Sequence, residues 1–425
     1  MIPAMGILIS PSGPVDFDTT VPGSKSYTNR ALIVAALAEG NSTLSNASLS
    51  EDSLLLVEAL RTVGISIDVD PLERIFRVEG CGGSIPASQG DFFLGNAGTS
   101  LRFLTGFLSL GKGTYRIDGN ERMRERPIRD LASGLEQLGC EVGWEGTEGC
   151  PPFTLKTGGR TGGVVHVSGA TSSQYLSSLL LSAPLAEEKM ELRLKGKLVS
   201  KPYIDMTSEV MSAFGVDIQE EEGVFTVAPS GYRGGSYRVE SDAAAANYFF
   251  AMAAATEGRV RVTGLSLKSV QAEIRFLGVL EDLGCSVTSG KDWVEVKGAP
   301  LSGVDVDMNA FPDSVQTLAA IASFASGPTR IRNVANLRVK ETDRIEAVTR
   351  ELEKLGGKVD PSEDGLLIHP AELHGGKVHT YGDHRMAMSF AVTALHVGGI
   401  EIEDPNCVRK SFPGFFDQLD LLLGR

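Results

Sequence analysis

The sequence predicts an α/β protein assembled from six similar units. An amphipathic helix that ends in glycine recurs at nearly constant intervals along the 425 residues. A second, more apolar helix alternates with it, and each copy of that second helix is followed by a short strand-like run. Strands that alternate with two types of helix favour a fold in which sheets enclose the helices.

The amphipathic helix ends in the same way in every unit. Its apolar residues recur at helical spacing, which predicts one buried stripe. A terminal glycine suits a left-handed C-cap, because glycine lacks the Cβ that clashes in that conformation. By subtraction the intervals are 75, 76, 69, 72 and 68 residues, between Gly64, Gly139, Gly215, Gly284, Gly356 and Gly424. Units of roughly 70 residues therefore fill the chain.

The second helix type is apolar around most of its circumference, which predicts burial on all sides. Its six copies are NRALIVAALAEG, TSLRFLTGFLSLG, SSQYLSSLLLSAPLA, AAAANYFFAMAAATEG, DSVQTLAAIASFASG and HRMAMSFAVTALHVGG. The strand-like runs that follow them are STLSN, GTYRIDG, MELRLKG, RVRVTG, PTRIRNV and IEIEDP.

Polar residues gather where the apolar helices begin. A helix N-terminus offers unpaired N–H donors and the positive end of the dipole, so it favours anions. Ser, Asp and Asn are also the commonest N-caps, and capping is the preferred interpretation for Asp242 and Ser100. For starts that carry Lys or Arg, anion binding is the stronger prediction.

The overall charge argues against polyanionic partners. A formal net charge of -14 and a pI near 5.0 oppose nonspecific binding to nucleic acid or to an anionic membrane. The N-terminal MIPAMGILISPSGPVDF lacks a basic leader, and no stretch approaches the roughly 20 apolar residues of a membrane span. We therefore expect a cytoplasmic protein.

No metal site is expected. The five cysteines are an odd number without a CxxC pair, which favours reduced thiols. His369, His374, His379 and His384 match no zinc spacing and are interpreted as solvated or capping residues.

Basic residues cluster in an otherwise acidic chain. VPGSKSYTNRAL places Lys25 and Arg30 at a helix start, which suits a phosphate, although GxxxxGK[ST] is absent. In DGNERMRERPI, Glu121 and Glu125 compensate part of the charge of three arginines, so only one arginine need face a ligand. GDHRMAMSF places Arg385 directly before a buried helix, where an uncompensated cation is costly.

Two further motifs are weaker when taken alone. GNAGTSLR has two glycines that let a ligand approach backbone amides, yet it also fits an ordinary helix entry. NLRVKETDRI carries five charges in seven residues, and a solvated helix face is its default interpretation.

Taken together, the motifs closely resemble the 5-enolpyruvylshikimate-3-phosphate synthase family of enolpyruvyl transferases over the whole chain. In order they are PGSKSYTNRAL, GNAGTSLRF, DGNERMRERPI, SSQYLSSLL, SKPYIDMT, NLRVKETDRI, GDHRMAMSF and KSFPGFF. The resemblance implies two similar globular domains, each of three repeated units with buried parallel helices, of the inside-out α/β barrel type, that close over an interdomain cleft. It implies one discontinuous domain of residues 1–22 plus 241–425, and a second domain of residues 23–240.

The resemblance also implies two sets of ligand-binding residues. Those for shikimate 3-phosphate are Lys25, Ser26, Arg30, Ser172, Ser173, Gln174, Ser200, Asp313, Asn336 and Lys340. Those for phosphoenolpyruvate are Lys25, Gly98, Arg126, Gln174, Arg344, Arg385 and Lys410.

The implied reaction moves the carboxyvinyl group of phosphoenolpyruvate to the 5-hydroxyl of shikimate 3-phosphate by addition and elimination. The expected catalytic residues are Asp313 as base for the hydroxyl, Glu341 as proton partner of the methylene carbon, and Lys25 as an aid to proton transfer and leaving-group charge. The resemblance implies no metal or organic cofactor, and a monomer whose partners are small molecules.

Three alternative hypotheses about the function are considered. The related transferase that acts on UDP-N-acetylglucosamine has a cysteine-bearing loop motif that is missing here. An RNA-associated repeat protein would need a basic face with stacking aromatic residues, against a net charge of -14 and two tryptophans. An inactive ligand-binding relative would lose the proton-transfer residues, all of which are present.

Overall fold

The structure, a computed structural model, describes residues 6–159, 161–169, 172–196, 198 and 200–425. It divides into two compact units. Unit 1 comprises Met1–Pro22 and Ser241–Arg425, and unit 2 comprises Gly23–Glu240. Among its described residues each unit contains six α-helices and three sheets.

The α-helices alternate between the two predicted types. They are α1 Lys25–Leu37, α2 Glu51–Thr62, α3 Gly98–Leu108, α4 Arg129–Glu136, α5 Ser173–Ser182, α6 Pro202–Ala213, α7 Ala243–Thr256, α8 Phe276–Asp282, α9 Val315–Ala322, α10 Arg344–Lys354, α11 His384–His396 and α12 Phe415–Leu422. The odd-numbered helices are almost wholly buried, as their composition predicts, and the even-numbered ones bury one stripe. No helix within the described ranges is long and apolar enough to cross a membrane.

The glycine repeat has a common structural cause. All six glycines adopt positive φ, at 94°, 88°, 88°, 107°, 90° and 68° for Gly64, Gly139, Gly215, Gly284, Gly356 and Gly424. Gly139 lies three residues after the end of its even-numbered helix, and the other five glycines lie two residues after theirs. The left-handed conformation stops the helix and turns the chain, which in the first five units leads into a strand or an extended run.

The described strands are short and lie outside the buried helices. They are β1 Ile7–Ile9, β2 Asp16–Thr20, β3 Asn41–Ser45, β4 Ser66–Asp70, β5 Ile75–Glu79, β6 Gln89–Phe93, β7 Lys112–Asp118, β8 Glu141–Trp144, β9 Phe153–Gly158, β10 Gly163–Ser168, β11 Met190–Lys195, β12 Gln219–Glu221, β13 Val224–Val227, β14 Ser236–Arg238, β15 Arg259–Thr263, β16 Ser286–Ser289, β17 Trp293–Lys297, β18 Asp305–Asp307, β19 Thr329–Arg332, β20 Lys358–Pro361, β21 Leu366–His369, β22 Gly376–Val378 and β23 Ile400–Ile402.

These strands form six sheets of one design, three in each unit. Unit 2 has the orders β14-β3-β5-β4, β6-β7-β9-β8 and β10-β11-β13-β12. Unit 1 has β2-β15-β17-β16, β18-β19-β21-β20 and the shorter β1-β23-β22. Each four-stranded sheet contains one parallel pair and two antiparallel pairs, so its parallel pair alone requires a helical crossover.

The buried helices of unit 2 run parallel. Asn29 in the second turn of α1 donates to Ser100 Oγ in the first turn of α3 at 3.2 Å. Gln174 at the start of α5 donates to Thr99 Oγ1 at 3.0 Å. Because these contacts join the first two turns of the helices, the three N-termini meet at one end of the unit.

Unit 1 has the same arrangement. Asn247 near the start of α7 donates to Ser314 Oγ, directly before α9, at 2.9 Å. Arg385 at the start of α11 donates to the Tyr248 hydroxyl of α7 at 3.1 Å. The positive ends of three helix dipoles therefore converge in each unit.

Candidate active site

Lys25 opens α1 at the converging helix starts of unit 2. Its Nζ donates to Asp52 Oδ2 at 2.9 Å, and the two side chains are 13% and 4% exposed. The ammonium therefore borders solvent while its partner is buried. The sequence reasoning missed Asp52, since an acidic residue in the first turn of α2 is explained by the helix dipole alone.

Arg30 lies one turn further along α1 and is buried in the protein. Its Nε donates to Thr207 Oγ1 at 2.8 Å, and Nη2 donates to the Tyr203 carbonyl at 3.0 Å. Nη1 donates to the carbonyl of Ser26 at 2.9 Å, and the guanidinium stacks on Phe103. Arg30 thus ties α6 to the first turn of α1, where Ser26 is half-buried.

Gly98 makes room for two guanidinium groups at the start of α3. An added Cβ there would lie 2.6 Å from both Arg102 Nη1 and Arg126 Nη2. Arg102 donates to the Gly98 carbonyl at 2.9 Å, and Arg126 donates to the backbone and side-chain oxygens of Asn96 at 3.0 and 2.9 Å. Both arginines are buried, so glycine is required by close approach.

The other two arginines of the ERMRER segment are paired on the surface. Arg122 donates to Glu125 at 2.7 Å, and Arg124 donates to Asp118 at 2.7 Å. Arg126 is the buried member of the three. Two of the three arginines are therefore paired with carboxylates.

The start of α5 supplies hydroxyl and amide groups. Ser172 caps the helix by accepting from the Gln174 amide at 3.2 Å, and Ser173 is buried in its first turn. Ser200 has a φ of 55° and lies two residues before α6, where its carbonyl accepts from the Tyr203 amide at 3.2 Å. Ser200 therefore lies next to Tyr203, whose carbonyl accepts from Arg30.

In unit 1, Arg344 is the hub of a buried ionic network. The side chain is 2% exposed and donates to three carboxylates: Asp383 at 2.8 Å, Asp313 at 2.9 Å and Glu341 at 2.7 Å. Burial works to lower the pKa of Arg344, but the three carboxylates outweigh it and hold the pKa above its usual value. The segment NLRVKETDRI is therefore no solvated helix face at this residue.

Asp313 bridges two arginines directly before α9. Its Oδ1 accepts from Arg344 and its Oδ2 accepts from Arg385 at 2.6 Å. Burial works to raise the pKa of Asp313, but Arg385, Arg344 and Lys340 together hold it well below its usual range. The side chain keeps 24% of its surface exposed. The carboxylate is thus ionised and open to a ligand.

Two lysines and an asparagine complete this part of unit 1. Lys410 is buried, with Nζ 3.8 Å from Glu341 Oε1. Lys340 is half-buried and acts on Asp313 electrostatically. Within the described parts of the chain, Asn336 Oδ1 is buried and accepts no hydrogen bond. Four cations and three carboxylates therefore meet here, in favour of an anionic ligand.

Two expectations about individual residues were wrong. His384 is buried in the first turn of α11, with Nδ1 3.5 Å from Asp383 Oδ1, and is not solvated. Ser100 is not an N-cap, because it lies inside α3 and donates to the Asp52 carbonyl at 2.6 Å. Asp242 does cap α7, accepting from the Ala245 amide at 3.0 Å.

The remaining histidines of this region lie at the surface. His369 pairs with Asp360 at 2.9 Å, and His379 pairs with Glu403 at 3.0 Å. Across the described residues, no group of three or more His, Cys, Asp or Glu side chains is arranged to hold a metal ion.

The fold is the one found in enolpyruvyl transferases. The enolpyruvyl transferase NikO from Streptomyces tendae superposes with a TM-score of 0.79 at 18% identity, covering 99% of this chain and 98% of that one, which establishes the fold. EPSP synthase from Acinetobacter baumannii superposes with a TM-score of 0.82 at 27% identity, again over 99% and 98% of the two chains.

Sequence comparison narrows the class to one family. The family model for EPSP synthase (3-phosphoshikimate 1-carboxyvinyltransferase) matches residues 9–419. The 3-phosphoshikimate 1-carboxyvinyltransferase of Trichormus variabilis is 47% identical over 415 residues, 97% of each chain. That of Shewanella pealeana is 42% identical, over 97% of this chain and 98% of the other. The chain belongs to the EPSP synthase family.

Proposed function

We propose that this chain transfers the carboxyvinyl group of phosphoenolpyruvate to the 5-hydroxyl of shikimate 3-phosphate, as a 3-phosphoshikimate 1-carboxyvinyltransferase. The observation that carries the proposal is the network around Arg344, in which buried arginines share carboxylates beside helix N-termini. Such a network binds a small polyanion and also holds groups that exchange protons.

In this proposal Arg126, Arg344 and Arg385 bind phosphoenolpyruvate, with Lys25, Gly98, Gln174 and Lys410. Guanidinium groups recognise carboxylate and phosphate in bidentate fashion, so they orient the reacting carbon as well as neutralise charge. The space at Gly98 supports this assignment, since it lets Arg126 lie against the start of α3.

Shikimate 3-phosphate is assigned to the hydroxyl and amide groups around two helix starts of unit 2 and to polar groups of unit 1. The assigned residues are Lys25, Ser26, Arg30, Ser172, Ser173, Gln174, Ser200, Asp313, Asn336 and Lys340. Free helix N–H groups and serine hydroxyls suit a phosphate, and the buried Oδ1 of Asn336 suits a ligand hydroxyl.

The addition step joins the 5-oxygen of the acceptor to C2 of phosphoenolpyruvate. The hydroxyl proton passes to Asp313, and C3 gains a proton from Glu341, which gives a tetrahedral intermediate. In the elimination step C3 returns a proton to Glu341, the C2–O bond to phosphate breaks, and the departing phosphate takes up the proton that Asp313 accepted. Lys25 stabilises the charge of the departing phosphate.

Phosphoenolpyruvate itself prepares Asp313 for this role. Both oxygens of Asp313 accept from arginines, which makes the carboxylate a weak base. A bound trianion competes for Arg344 and Arg385 and so weakens their hold on Asp313. The pKa of Asp313 then rises when the hydroxyl proton must be accepted.

The test is turnover without added metal. Purified protein is incubated with shikimate 3-phosphate and phosphoenolpyruvate, while phosphate release and product mass are followed. We expect the enolpyruvyl product, its loss in Asp313→Ala, and no product when UDP-N-acetylglucosamine replaces the acceptor. Binding of both substrates without turnover in the unmodified protein would contradict the assignment and favour an inactive relative.

We further propose that units 1 and 2 are the two domains of a monomeric cytoplasmic enzyme and close on the substrates together. Light scattering would give the mass in solution, and small-angle X-ray scattering would give the radius of gyration. We expect one chain per particle and a smaller radius with both ligands. A dimer, or an unchanged radius, would contradict this part.

A further inference from the structure

Glu351 is a buried carboxylate outside the network of Arg344. It lies in α10, its side chain is 0% exposed, and it accepts three hydrogen bonds. The donors are the Tyr381 hydroxyl at 2.6 Å, the His379 amide at 3.0 Å and Lys354 Nζ at 2.6 Å. Burying a carboxylate is costly unless it is fully bonded. The three donors therefore hold Glu351 in the interior, and Glu351 in turn holds the segments that carry them.

Two of these donors belong to the segment 379–382, which leads into α11. Tyr381 has a φ of 54° and Gly382 a φ of 65°, so two successive residues are left-handed. That conformation is unfavourable for tyrosine by about 1 kcal/mol and persists only where the surroundings hold it. Burial and the bond to Glu351 raise the pKa of Tyr381 to about 12, which keeps its hydroxyl a donor.

Helix α10 contacts residues 379–383 at two places. Arg344 and Glu351 are seven residues apart, which is close to two full turns, so they lie on the same side of the helix. Arg344 holds Asp383, and Glu351 holds His379 and Tyr381. Arg385 follows two residues after Asp383, and its Nη2 donates to Asp313.

We propose that Glu351, through Tyr381, is a positioning residue that sets the location of Arg385 for phosphoenolpyruvate. The inference rests on the proposed function. The contact fixes the left-handed turn before α11, and the turn fixes the first residues of that helix. Losing it displaces Arg385 and weakens binding of phosphoenolpyruvate more than it slows the chemical step.

The test compares Glu351→Gln and Tyr381→Phe with Glu353→Gln, a control that removes an exposed carboxylate from the same helix. For each of the first two we expect the KM for phosphoenolpyruvate to rise about tenfold, with kcat and the KM for shikimate 3-phosphate within about twofold. The double variant should show about tenfold rather than a hundredfold, because both changes weaken the same attachment of the turn to α10.

A second readout needs no turnover. Amide hydrogen exchange in the ligand-free protein should be faster over residues 379–385 in Glu351→Gln, and unchanged in Glu353→Gln. Unchanged exchange, or an equal rise in both KM values, would overturn the inference. Failure of the unmodified protein to form product would count against the proposed function instead, since the exchange result stands independently of turnover.

Discussion

Because Gly98 has no side chain, the guanidinium groups of Arg102 and Arg126 can lie against its backbone. We predict that Gly98→Ala raises the KM for phosphoenolpyruvate about tenfold and changes the KM for shikimate 3-phosphate little. The added Cβ would lie 2.6 Å from Arg126 Nη2 and from Arg102 Nη1, so both groups must move. Steady-state kinetics with each substrate varied in turn measures the effect.

Gly278→Ala provides the matched control, since an added Cβ in α8 meets nothing within 4 Å. It should leave both KM values unchanged. A Gly98→Ala variant with unaltered KM for phosphoenolpyruvate would mean that Arg126 does not bind it.

Asp313 illustrates how a charge pair ties stability to pH. We predict that Asp313→Asn lowers the free energy of unfolding by about 3 kcal/mol at neutral pH, because two arginines lose their shared partner. The folded pKa of Asp313 is lower than the unfolded value of about 3.9. The stabilisation by ionised Asp313 is therefore fully present at a pH above its unfolded-state pKa. This stabilisation is lost as the pH falls toward the folded-state pKa.

Urea unfolding of both proteins at several pH values measures this difference. It should stay constant from roughly pH 8 to pH 5 and shrink only below about pH 4. A difference that already declines near neutrality would mean that the arginines do not depress the pKa of Asp313.

Residue identity predicted some contacts and not others. In ERMRER, counting neighbouring carboxylates anticipated the local pair of Arg122 and Glu125, but not the pair of Arg124 with Asp118, which lies six residues away on β7. The pair of Lys25 and Asp52 joins different helices, and no local pattern reports such a contact. His384 was expected at the surface because histidine is polar. It is buried because it is the first residue of the apolar helix α11.

At the scale of elements, replacing a glycine that ends an even-numbered helix should destabilise the fold. We predict that Gly215→Ala lowers the free energy of unfolding by about 1 kcal/mol, since its φ of 88° is unfavourable with a Cβ. No heavy atom lies within 4 Å of that Cβ, so crowding adds nothing. Denaturant midpoints at unchanged slope measure the effect.

Gly278→Ala should instead raise the free energy of unfolding. That residue lies inside α8 without a positive φ, where alanine is the better helix former by about 1 kcal/mol. Equal destabilisation of Gly215→Ala and Gly278→Ala would show that backbone conformation is not the cause.

Helices were predictable here because the apolar period and the glycine that ends a helix are both contained in a short stretch of sequence. The sheets were predictable only as strand-like runs. The strand β14 has three residues and pairs with β3, with Ser236 opposite Thr43. That pairing spans most of unit 2 in sequence, and only the closed packing of the whole unit specifies it.

At the scale of the whole molecule, unit 2 is one uninterrupted segment with its own core. A single hydrophobic cluster of buried residues extends from Tyr27 to Val239. The two ends of the segment are also bonded to each other, since the Ser24 amide donates to the Glu240 carbonyl at 2.8 Å. Unit 1, in contrast, needs the residues before Pro22 to supply β2 to a sheet with β15.

We therefore predict that a fragment of residues 23–240 folds alone and unfolds cooperatively in urea. Trp144 is the tryptophan of this unit and Trp293 that of the other, so the fluorescence of Trp293→Phe in the full chain reports unit 2. The fragment should unfold within about 1 M urea of that transition, because its core and sheets are complete. A fragment of residues 23–235 lacks β14 and should unfold at clearly lower urea. If the longer fragment shows no cooperative transition, its core depends on unit 1 and the two units form one folding domain.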